Sequence, residues 1–388
     1  MKILMLTWKS FGNEDMAAAF RQLNHQVIEH PFSDKGERTD TELEQDLTSQ
    51  IHSAAPDMLF SFNYFPVAAI ACKKAGVPYV AWVYDSPYVR LYHYSINYPT
   101  NHVFVFDKAQ YLEFHRAGIL TVNYLPMAAN TERLCAMTDF SGFRKTPWHN
   151  RHEVAFIGSL YTEKHQFFQR MDKITPYTRG YLEGLMAAQK QVYGYNFIQE
   201  LLPPAIIEDM QRSLPMRPGA DSVESVEYLF AQYVINREIT ALERRELLHA
   251  VTEHFGLDLY TPDQTVKLPN CTNHGPVDYY DYAPYVFKTA KINLNISLRS
   301  ILTGIPLRAF DIMGAGGFLL TNYQEDFLDF FVPGEDFVFY DSKADLLSKI
   351  DYYLQHEEER AQIAKNGLQK ISADHTYVHR VDEILSCL

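Results

Sequence analysis

The 388-residue chain contains little cysteine, and its four cysteines lie far apart and form no Cys-x-x-Cys pair: Cys72, Cys135, Cys271 and Cys387. This spacing argues against a structural zinc site and against a disulfide framework. Long apolar runs are also absent, so no segment is predicted to span a bilayer. The short apolar stretch at the N-terminus is typical of a first strand and not of a signal peptide. We therefore expect a reduced, cytoplasmic protein.

Basic residues are in deficit as well. Lys and Arg number 35 against 48 Asp and Glu, which gives a formal net charge of -13. Proteins that bind nucleic acid or anionic membranes in a general way need a basic surface, so the composition argues against both functions. A local basic pocket for a single anionic ligand is compatible with this charge.

Apolar and aromatic residues are plentiful, at 47% and 14% of the sequence. They suffice for sizeable cores, and the length favours two domains. Over residues 1–140, apolar segments such as KILMLTW, PDMLFSF and VPYVAWVYD alternate with helical ones. This pattern is typical of a parallel sheet that helices cover on both faces. We therefore predict an α/β, doubly wound, Rossmann-like N-terminal domain.

A second series of strands and helices predicts a second Rossmann-like domain over residues 151–375. It follows a polar, proline-containing linker and includes EVAFIGSLY, KINLNIS, GFLLTN and DFVFY. Residues 162–254 lack a convincing strand and are predicted to form a helical insertion, whose aromatic residues suit a helical core, an acceptor site or an oligomer contact. A closing helix is predicted over 376–388. Ligands are expected where the carboxyl ends of the two sheets face each other across a cleft.

The stretch RAFDIMGAGG at 308–317 combines charged residues and glycines between a predicted helix and a strand. Arg308 and Asp311 fall on one face of the first turns. The helix N-terminus attracts an anion, a guanidinium binds a diphosphate through two parallel hydrogen bonds, and the carboxylate suits the hydroxyls of a ribose. Gly316 and Gly317 allow close backbone approach. The alternative is an Arg308–Asp311 salt bridge and glycines that only end the helix.

Two predicted strand ends supply further candidates for this site. EVAFIGSLY ends in Gly158, Ser159 and Tyr161, where backbone amides and a hydroxyl can donate to a phosphate. An ordinary strand-end turn is the alternative there. KINLNIS presents Asn295 and Ser297 at its end. Together with the 308–317 stretch, these strand ends favour a nucleoside-diphosphate site.

The C-terminal half of the bacterial spore-maturation (CgeB-like) glycosyltransferases is similar to three segments of this chain: PLRAFDIMGAGGFLLTNYQEDFLDFFVPGEDFVFY, HEEERAQIAKNG and HTYVHRV. The domain of unknown function that often precedes that half (DUF3880) resembles AWVYDSPY, VFVFD and LPMAAN. The resemblance covers most of the chain except the predicted helical insertion. It implies a GT-B architecture, in which two Rossmann-like domains hold the nucleotide sugar (C-terminal domain) and the acceptor (N-terminal domain).

The resemblance also implies roles for individual residues. Asp311 stands where related group 1 glycosyltransferases place the second glutamate of a Glu-x7-Glu motif, which contacts the ribose. Thr303 stands in the place of the first glutamate, and this departure leaves the sugar contacts and the retaining or inverting outcome open. The glycine turn that opens the nucleotide domain is matched by Gly158–Ser159, and the paired glycine before a strand by Gly316–Gly317.

Breaking the bond between sugar and diphosphate develops negative charge on the leaving phosphate, which a cation or a dipole must stabilise. The chain contains no Asp-x-Asp motif of the kind that metal-dependent glycosyltransferases commonly use, so we expect no metal and no other cofactor. Arg308 and the helix N-terminus are predicted to stabilise this charge. Lys288 and Arg299 are further candidates.

An inverting enzyme also needs a base that deprotonates the acceptor hydroxyl. Our candidate is Asp85 in VYDSPY, directly after an apolar strand; alternatively it caps a helix or orders the Ser-Pro turn. The loop TWKSFGNE, with Lys9 and Gly12, either approaches the donor phosphates or is a tight connection. Three histidines are weaker candidates and are expected to be structural or surface residues: His93, His102 and His115.

The sequence thus predicts a metal-independent glycosyltransferase that moves a sugar from a nucleoside-diphosphate sugar, expected to be a UDP-sugar, to a hydroxyl of a glycan, a protein or a small molecule. A GT-B-type sugar-nucleotide epimerase and a non-catalytic sugar-nucleotide-binding protein are the alternatives. No nucleic-acid partner is expected, and the helical insertion is a candidate oligomer contact.

Overall fold

The computed structural model describes residues 1–33, 40–162 and 166–388. The chain divides into two compact units. Unit 1 comprises Met1–Ala129, Pro218–Glu224 and Asp374–Leu388, and unit 2 comprises Asn130–Arg217 and Ser225–Ala373. Residues 163–165 of the predicted helical insertion lie outside the described residues. Among the described helices, none is both long and apolar enough to cross a membrane.

Unit 1 is built on a six-stranded parallel sheet of order β2-β1-β3-β4-β5-β6. The two central strands β3 and β4 are buried at every position, as expected for apolar strands that helices cover on both faces. The strands are β1 (Lys2–Thr7), β2 (Gln26–Pro31), β3 (Met58–Phe62), β4 (Tyr79–Val83), β5 (Asn101–Val105) and β6 (Val122–Tyr124). The helices are α1 (Asn13–Gln22), α2 (Thr41–Ala54), α3 (Pro66–Ala75) and α4 (Lys108–Arg116).

Unit 2 is built on a second six-stranded parallel sheet, of order β12-β11-β10-β7-β8-β9. Its edge strand β9 is three residues of mixed polarity and was not predicted from the sequence. The strands are β7 (Val154–Ile157), β8 (Leu257–Tyr260), β9 (Cys271–Asn273), β10 (Ile292–Asn295), β11 (Leu319–Asn322) and β12 (Val338–Tyr340). The predicted fold class, two Rossmann-like domains with doubly wound parallel sheets, is confirmed.

The described part of the chain between β7 and β8 is helical. Its helices are α6 (Pro176–Lys190), α7 (Pro204–Ser213), α8 (Val226–Leu229), a π-helical turn (Phe230–Ile235) and α9 (Asn236–His254). Buried apolar side chains give this segment a core of its own, among them Met171, Leu182, Ile198, Met210, Phe230 and Ile239. The remaining helices of unit 2 are α5 (Thr131–Ala136), α10 (Ala283–Thr289), α11 (Leu307–Gly314), α12 (Phe327–Phe330), α13 (Lys343–Gln355) and α14 (Glu357–Asp374).

Two segments distant in sequence complete unit 1. In the first, residues 218–224, the Asp221 carboxylate lies 3.0 Å from Nε2 of His93, and the Val223 amide donates to the Tyr92 carbonyl at 2.9 Å. The second is the C-terminal helix α15 (Tyr377–Ser386). There the buried Arg380 donates from Nε to the carbonyl of Pro126 at 2.9 Å. The helix predicted over 376–388 therefore packs within unit 1.

Candidate functional site

The switch point of the unit 2 sheet lies between β7 and β10. These strands are neighbours, but the chain leaves β7 toward β8 on one side and later leaves β10 toward β11 on the other. Connections that run in opposite directions leave a crevice at the carboxyl ends of the two strands, where open α/β sheets bind their ligands. Here β7 ends before Gly158 and β10 ends before Ile296.

Arg244 of α9 ties these two strand ends together. Its Nη1 donates to the carbonyl of Ser159 at 2.5 Å, and its Nε donates to the carbonyl of Ile296 at 3.0 Å. The side chain is 2% exposed, and desolvation lowers the pKa of its guanidinium below the ordinary value. The sequence patterns described above do not identify this residue. One pattern could have revealed it: Arg244 is a charged residue at helical spacing from Leu247, Leu248 and Val251, and so lies on the buried face of the helix.

Arg308 lies in the first turn of α11, close to the turn that follows β7. A Cβ atom placed on Gly158 would lie 3.4 Å from Nη1 of Arg308, so the guanidinium lies next to the backbone of this turn. The Nε atom of Arg308 is buried and has no hydrogen-bond partner in the described part of the chain. The alternative of an Arg308–Asp311 salt bridge is not formed. A buried donor without a partner is costly and points to a ligand.

Asp311 lies one turn further along α11 and is 9% exposed. Its Oδ2 accepts a hydrogen bond from the Tyr279 hydroxyl at 2.8 Å. Desolvation and the neighbouring Asp311 charge raise the pKa of Tyr279 well above its ordinary value, so the phenol stays protonated and donates. The structure thus brings Arg308, Asp311 and Gly158 to the carboxyl edge of one sheet.

The turn after β7 has an uncommon backbone conformation at Tyr161. This residue has φ +58°, in the left-handed region that non-glycine residues seldom adopt. Its amide donates to Oγ of Ser159 at 2.9 Å. The Tyr161 ring lies under two arginine side chains, with the guanidinium carbons of Arg237 and Arg244 at 4.9 and 5.1 Å from its centroid. Strain of this kind often accompanies a functional turn.

Asn295 and Ser297 lie at the end of β10 and are both buried. Nδ2 of Asn295 donates to Oγ of Ser297 at 3.2 Å and to Oγ1 of Thr321 at 3.0 Å, while its Oδ1 has no hydrogen-bond partner among the described residues. The Ser297 amide donates to Oδ1 of Asn322 at 2.7 Å. Thr303 lies in the loop before α11, where its carbonyl accepts from the Asp326 amide at 3.0 Å. These residues chiefly tie the ends of β10 and β11 together.

Gly316 and Gly317 lie away from this site, which corrects the predicted contact with the nucleotide. They precede β11 and so lie at the amino edge of the sheet, opposite the edge that carries Gly158. Gly316 has φ +78°, which favours glycine. A Cβ atom on Gly317 would lie 2.5 Å from the carbonyl oxygen of Phe287. Close packing of helix against strand explains this pair.

Lys288 and Arg299 are engaged in structural contacts. Nζ of Lys288 donates to the carbonyls of Leu134 and Met137 at 2.5 and 2.8 Å. Arg299 is 8% exposed and forms an ion pair with Glu243, with Nε 2.8 Å from Oε2. Because these partners already occupy them, neither cation is available in the way that Arg308 is.

The unit 1 sheet has its own switch point, between β1 and β3, and the loop after β4 lies next to β3. That loop holds Asp85, which is exposed to solvent. Nδ2 of Asn63 donates to Oδ2 of Asp85 at 2.7 Å, and Oδ1 of Asn63 accepts from the amides of Tyr84 and Asp85 at 3.1 and 3.3 Å. Desolvation by the surrounding loops raises the pKa of Asp85, and the hydrogen bond from Asn63 acts in the opposite direction.

The loop after β1 borders this switch point. Nε1 of Trp8 donates to the Phe62 carbonyl at 3.0 Å, and its ring lies parallel to that of Tyr84 at 6.3 Å. Gly12 has φ +90°, and a Cβ atom there would lie 2.8 Å from the Tyr377 hydroxyl. Gly12 is therefore needed for packing, while Lys9 is exposed.

The three histidines lie in different surroundings. His93 is fully buried and bonds through Nδ1 to Oγ of Ser95 at 2.7 Å. His102 lies near the start of β5, where desolvation lowers its pKa. His115 is exposed. Within the described residues, no group of three or more His, Cys, Asp or Glu side chains is arranged to hold a metal ion.

Residues 237–386 match a family model described as glycosyl transferase-like. Three solved structures illustrate the structural similarity. HepE from Anabaena, in complex with UDP-glucose, is 14% identical with a TM-score of 0.56 over 100% of both chains. The UDP-forming α,α-trehalose-phosphate synthase from Burkholderia vietnamiensis is 11% identical with a TM-score of 0.54 over 99% of this chain and 96% of that one. Sucrose-phosphate synthase from Thermosynechococcus elongatus is 10% identical with a TM-score of 0.53 over 100% and 98%.

Comparison with curated proteins gives no match. At such low identity the structural similarity establishes the fold, and the family model covers only the C-terminal part. The narrower resemblance to the CgeB-like enzymes and to the DUF3880 domain stays a prediction. The chain has the GT-B fold, and its residues 237–386 match the glycosyl transferase-like family model.

Proposed function

We propose that this protein is a glycosyltransferase that moves a sugar from a UDP-sugar to an acceptor hydroxyl. The observation that carries the proposal is Arg308, whose buried Nε lacks a hydrogen-bond partner in the described chain and whose guanidinium lies beside Gly158 at the switch point of the unit 2 sheet. A diphosphate would supply the missing acceptor. The UDP and UDP-glucose complexes of Anabaena HepE support UDP as the nucleotide.

The donor is proposed to bind to unit 2 along the crevice between β7 and β10. Arg308 and the amino end of α11 hold the diphosphate. The Asp311 carboxylate, which accepts from the Tyr279 hydroxyl, is proposed to accept from the hydroxyls of the ribose as well. Arg244 fixes the two strand ends and so keeps the phosphate site in shape without touching the donor. No metal is proposed, because the arginine and the helix N-terminus supply positive charge.

In the proposed transfer the bond between the anomeric carbon and the diphosphate oxygen breaks, and a bond from the anomeric carbon to the acceptor oxygen forms. UDP leaves with the electron pair of the broken bond, and Arg308 stabilises its charge. Asp85 accepts the proton of the acceptor hydroxyl. Its raised pKa strengthens it as a base, provided the pH keeps it ionised.

Purified protein incubated with UDP-sugars and candidate acceptors tests the proposal. We expect UDP release that depends on an acceptor, together with a glycosylated product identified by mass spectrometry. Donor conversion to a second sugar nucleotide or to a free epimerised sugar would indicate the epimerase instead. A non-catalytic sugar-nucleotide-binding protein is a further candidate, because Thr303 stands in the place of the first glutamate of the motif. Binding of a UDP-sugar without turnover of any donor would establish that candidate.

A further inference from the structure

The side chain of Asn63 links two neighbouring strand ends of unit 1. It follows β3 directly, is 1% exposed and has φ +59°. Asparagine is one of the few residues other than glycine that adopts this left-handed conformation readily. The conformation turns the amide toward the loop after β4, where it contacts both the backbone and the side chain of Asp85.

Both ends of the Asn63 amide are used. Oδ1 accepts from the backbone amides of Tyr84 and Asp85, and Nδ2 donates to Oδ2 of Asp85 at 2.7 Å. The backbone position and one carboxylate oxygen of Asp85 are therefore fixed from the same side chain. The other carboxylate oxygen, Oδ1, makes no hydrogen bond to any described residue, and Asp85 is exposed. That oxygen is available to an acceptor hydroxyl.

We propose that Asn63 is a positioning residue that holds Asp85 with Oδ1 presented to the acceptor, and that it keeps this carboxylate in its charged form. The inference rests on the proposed role of Asp85 as the base. A buried amide that donates to a carboxylate favours the ionised state, which is the state that accepts a proton. An unrestrained Asp85 on an exposed loop would lose the geometry that general base catalysis needs.

Two effects of opposite sign act on the pKa of Asp85. The Asp85 charge contributes to the raised pKa of the neighbouring Tyr84 phenol. The pKa of Asp85 itself responds to desolvation, which raises it, and to the hydrogen bond from Asn63, which lowers it. Removal of the Asn63 amide is therefore expected to raise the pKa of Asp85 further.

Two variants separate the side chain from the backbone conformation. Asn63→Gly retains access to φ +59° but removes the whole amide. Asn63→Asp keeps an acceptor for the Tyr84 and Asp85 amides and replaces the donor with a second carboxylate. Asn24→Gly is the matched control, since Asn24 also has a left-handed φ of 62° and is exposed at the end of α1, away from Asp85.

The measurement is the pH profile of kcat/KM for the acceptor. We expect the acidic limb to move to higher pH in both Asn63 variants, by about one unit or more in Asn63→Asp, where two carboxylates lie together. We expect kcat to fall roughly tenfold or more, with the KM for the UDP-sugar unchanged. Asn24→Gly should reproduce the wild-type profile.

An acidic limb of Asn63→Gly that superimposes on the wild-type limb, with or without a uniform loss of rate, would overturn the inference. NMR titration of selectively labelled aspartates, with Asp85→Asn for assignment, gives the Asp85 pKa in wild type and Asn63→Gly even without turnover. An unchanged pKa there would also overturn it. Full transfer by Asp85→Asn would instead remove the base from the proposed function, so the two failures are distinguishable.

Discussion

Arg308→Met is expected to raise the stability of the ligand-free protein while weakening its binding of UDP. The substitution keeps a long flexible chain and removes the guanidinium, whose buried Nε lacks a hydrogen-bond partner in the described structure. An unsatisfied buried donor costs about 1–3 kcal/mol. Because the rest of Arg308 is partly accessible to water, we take the lower end, about 1 kcal/mol. For a unit of this size that corresponds to a rise in Tm of about 2–4 °C.

The same guanidinium is proposed to hold the diphosphate of the donor. Hydrogen bonds to a charged group contribute about 1.5–3 kcal/mol, so its loss should weaken UDP binding roughly 10- to 150-fold. Calorimetric titration with UDP measures the affinity, and thermal unfolding with and without UDP measures both effects in one experiment. The expected pattern is a higher Tm without ligand and a much smaller UDP-induced shift.

Arg299→Met is the matched control, since Arg299 is also an arginine after β10 but is paired with Glu243. Removing it leaves a buried carboxylate without its cation, so we expect a loss of about 3–5 kcal/mol in the free energy of unfolding. UDP affinity at temperatures where this variant is folded should stay within a few fold of wild type. If Arg308→Met binds UDP as tightly as wild type, or is destabilised as Arg299→Met is, the proposed role of Arg308 is wrong.

Three further changes test other parts of the account. Asp311→Ala should weaken UDP binding several fold. It should also lower Tm by a few degrees, because the Tyr279 hydroxyl loses its acceptor. An unchanged UDP affinity in calorimetric titration of the folded variant would exclude Asp311 from the site. Asp85→Asn should abolish transfer and leave UDP affinity unchanged, and full activity in a product assay would contradict its role as base. Asp258→Ala should lower the free energy of unfolding by about 3–5 kcal/mol, measured by chemical denaturation. The fully buried carboxylate accepts from the amides of Arg151 and His152 and contacts His274, and these groups would lose their partner. A loss below about 1 kcal/mol would contradict this structural role.

Local patterns were sufficient for most strands and for the fold class. Segments such as KILMLTW and VPYVAWVYD are continuously apolar because helices cover both faces of a central parallel strand. A short stretch of sequence is therefore enough to predict that such a strand is buried. The sequence did not predict strand β9, because Cys271–Asn273 is short and of mixed polarity. These residues form a strand because they pair with β8 in the folded sheet.

The sequence also placed Arg308, Asp311 and Gly158 near ends of predicted strands and helices, where ligands of such folds bind. Gly316 and Gly317 directly precede a predicted strand and Gly158 directly follows one, so a parallel sheet already places them at opposite edges; the glycine pattern alone did not convey this. Nor could the sequence distinguish a paired arginine from an unpaired one. Arg299 and Arg308 both looked available, and only the position of Glu243 on α9 separated them.

The sequence by itself determined the alternation of buried strands and amphipathic helices, and with it two doubly wound sheets, because these depend on the periodicity of apolar residues within short segments. The tertiary structure alone decided the rest. It joined residues 218–224 and α15 to unit 1. It also brought Arg244 into hydrogen-bond contact with the ends of β7 and β10, and Asn63 into contact with Asp85. These contacts form only once each sheet sets the ends of neighbouring strands side by side and the more distant segments pack against it.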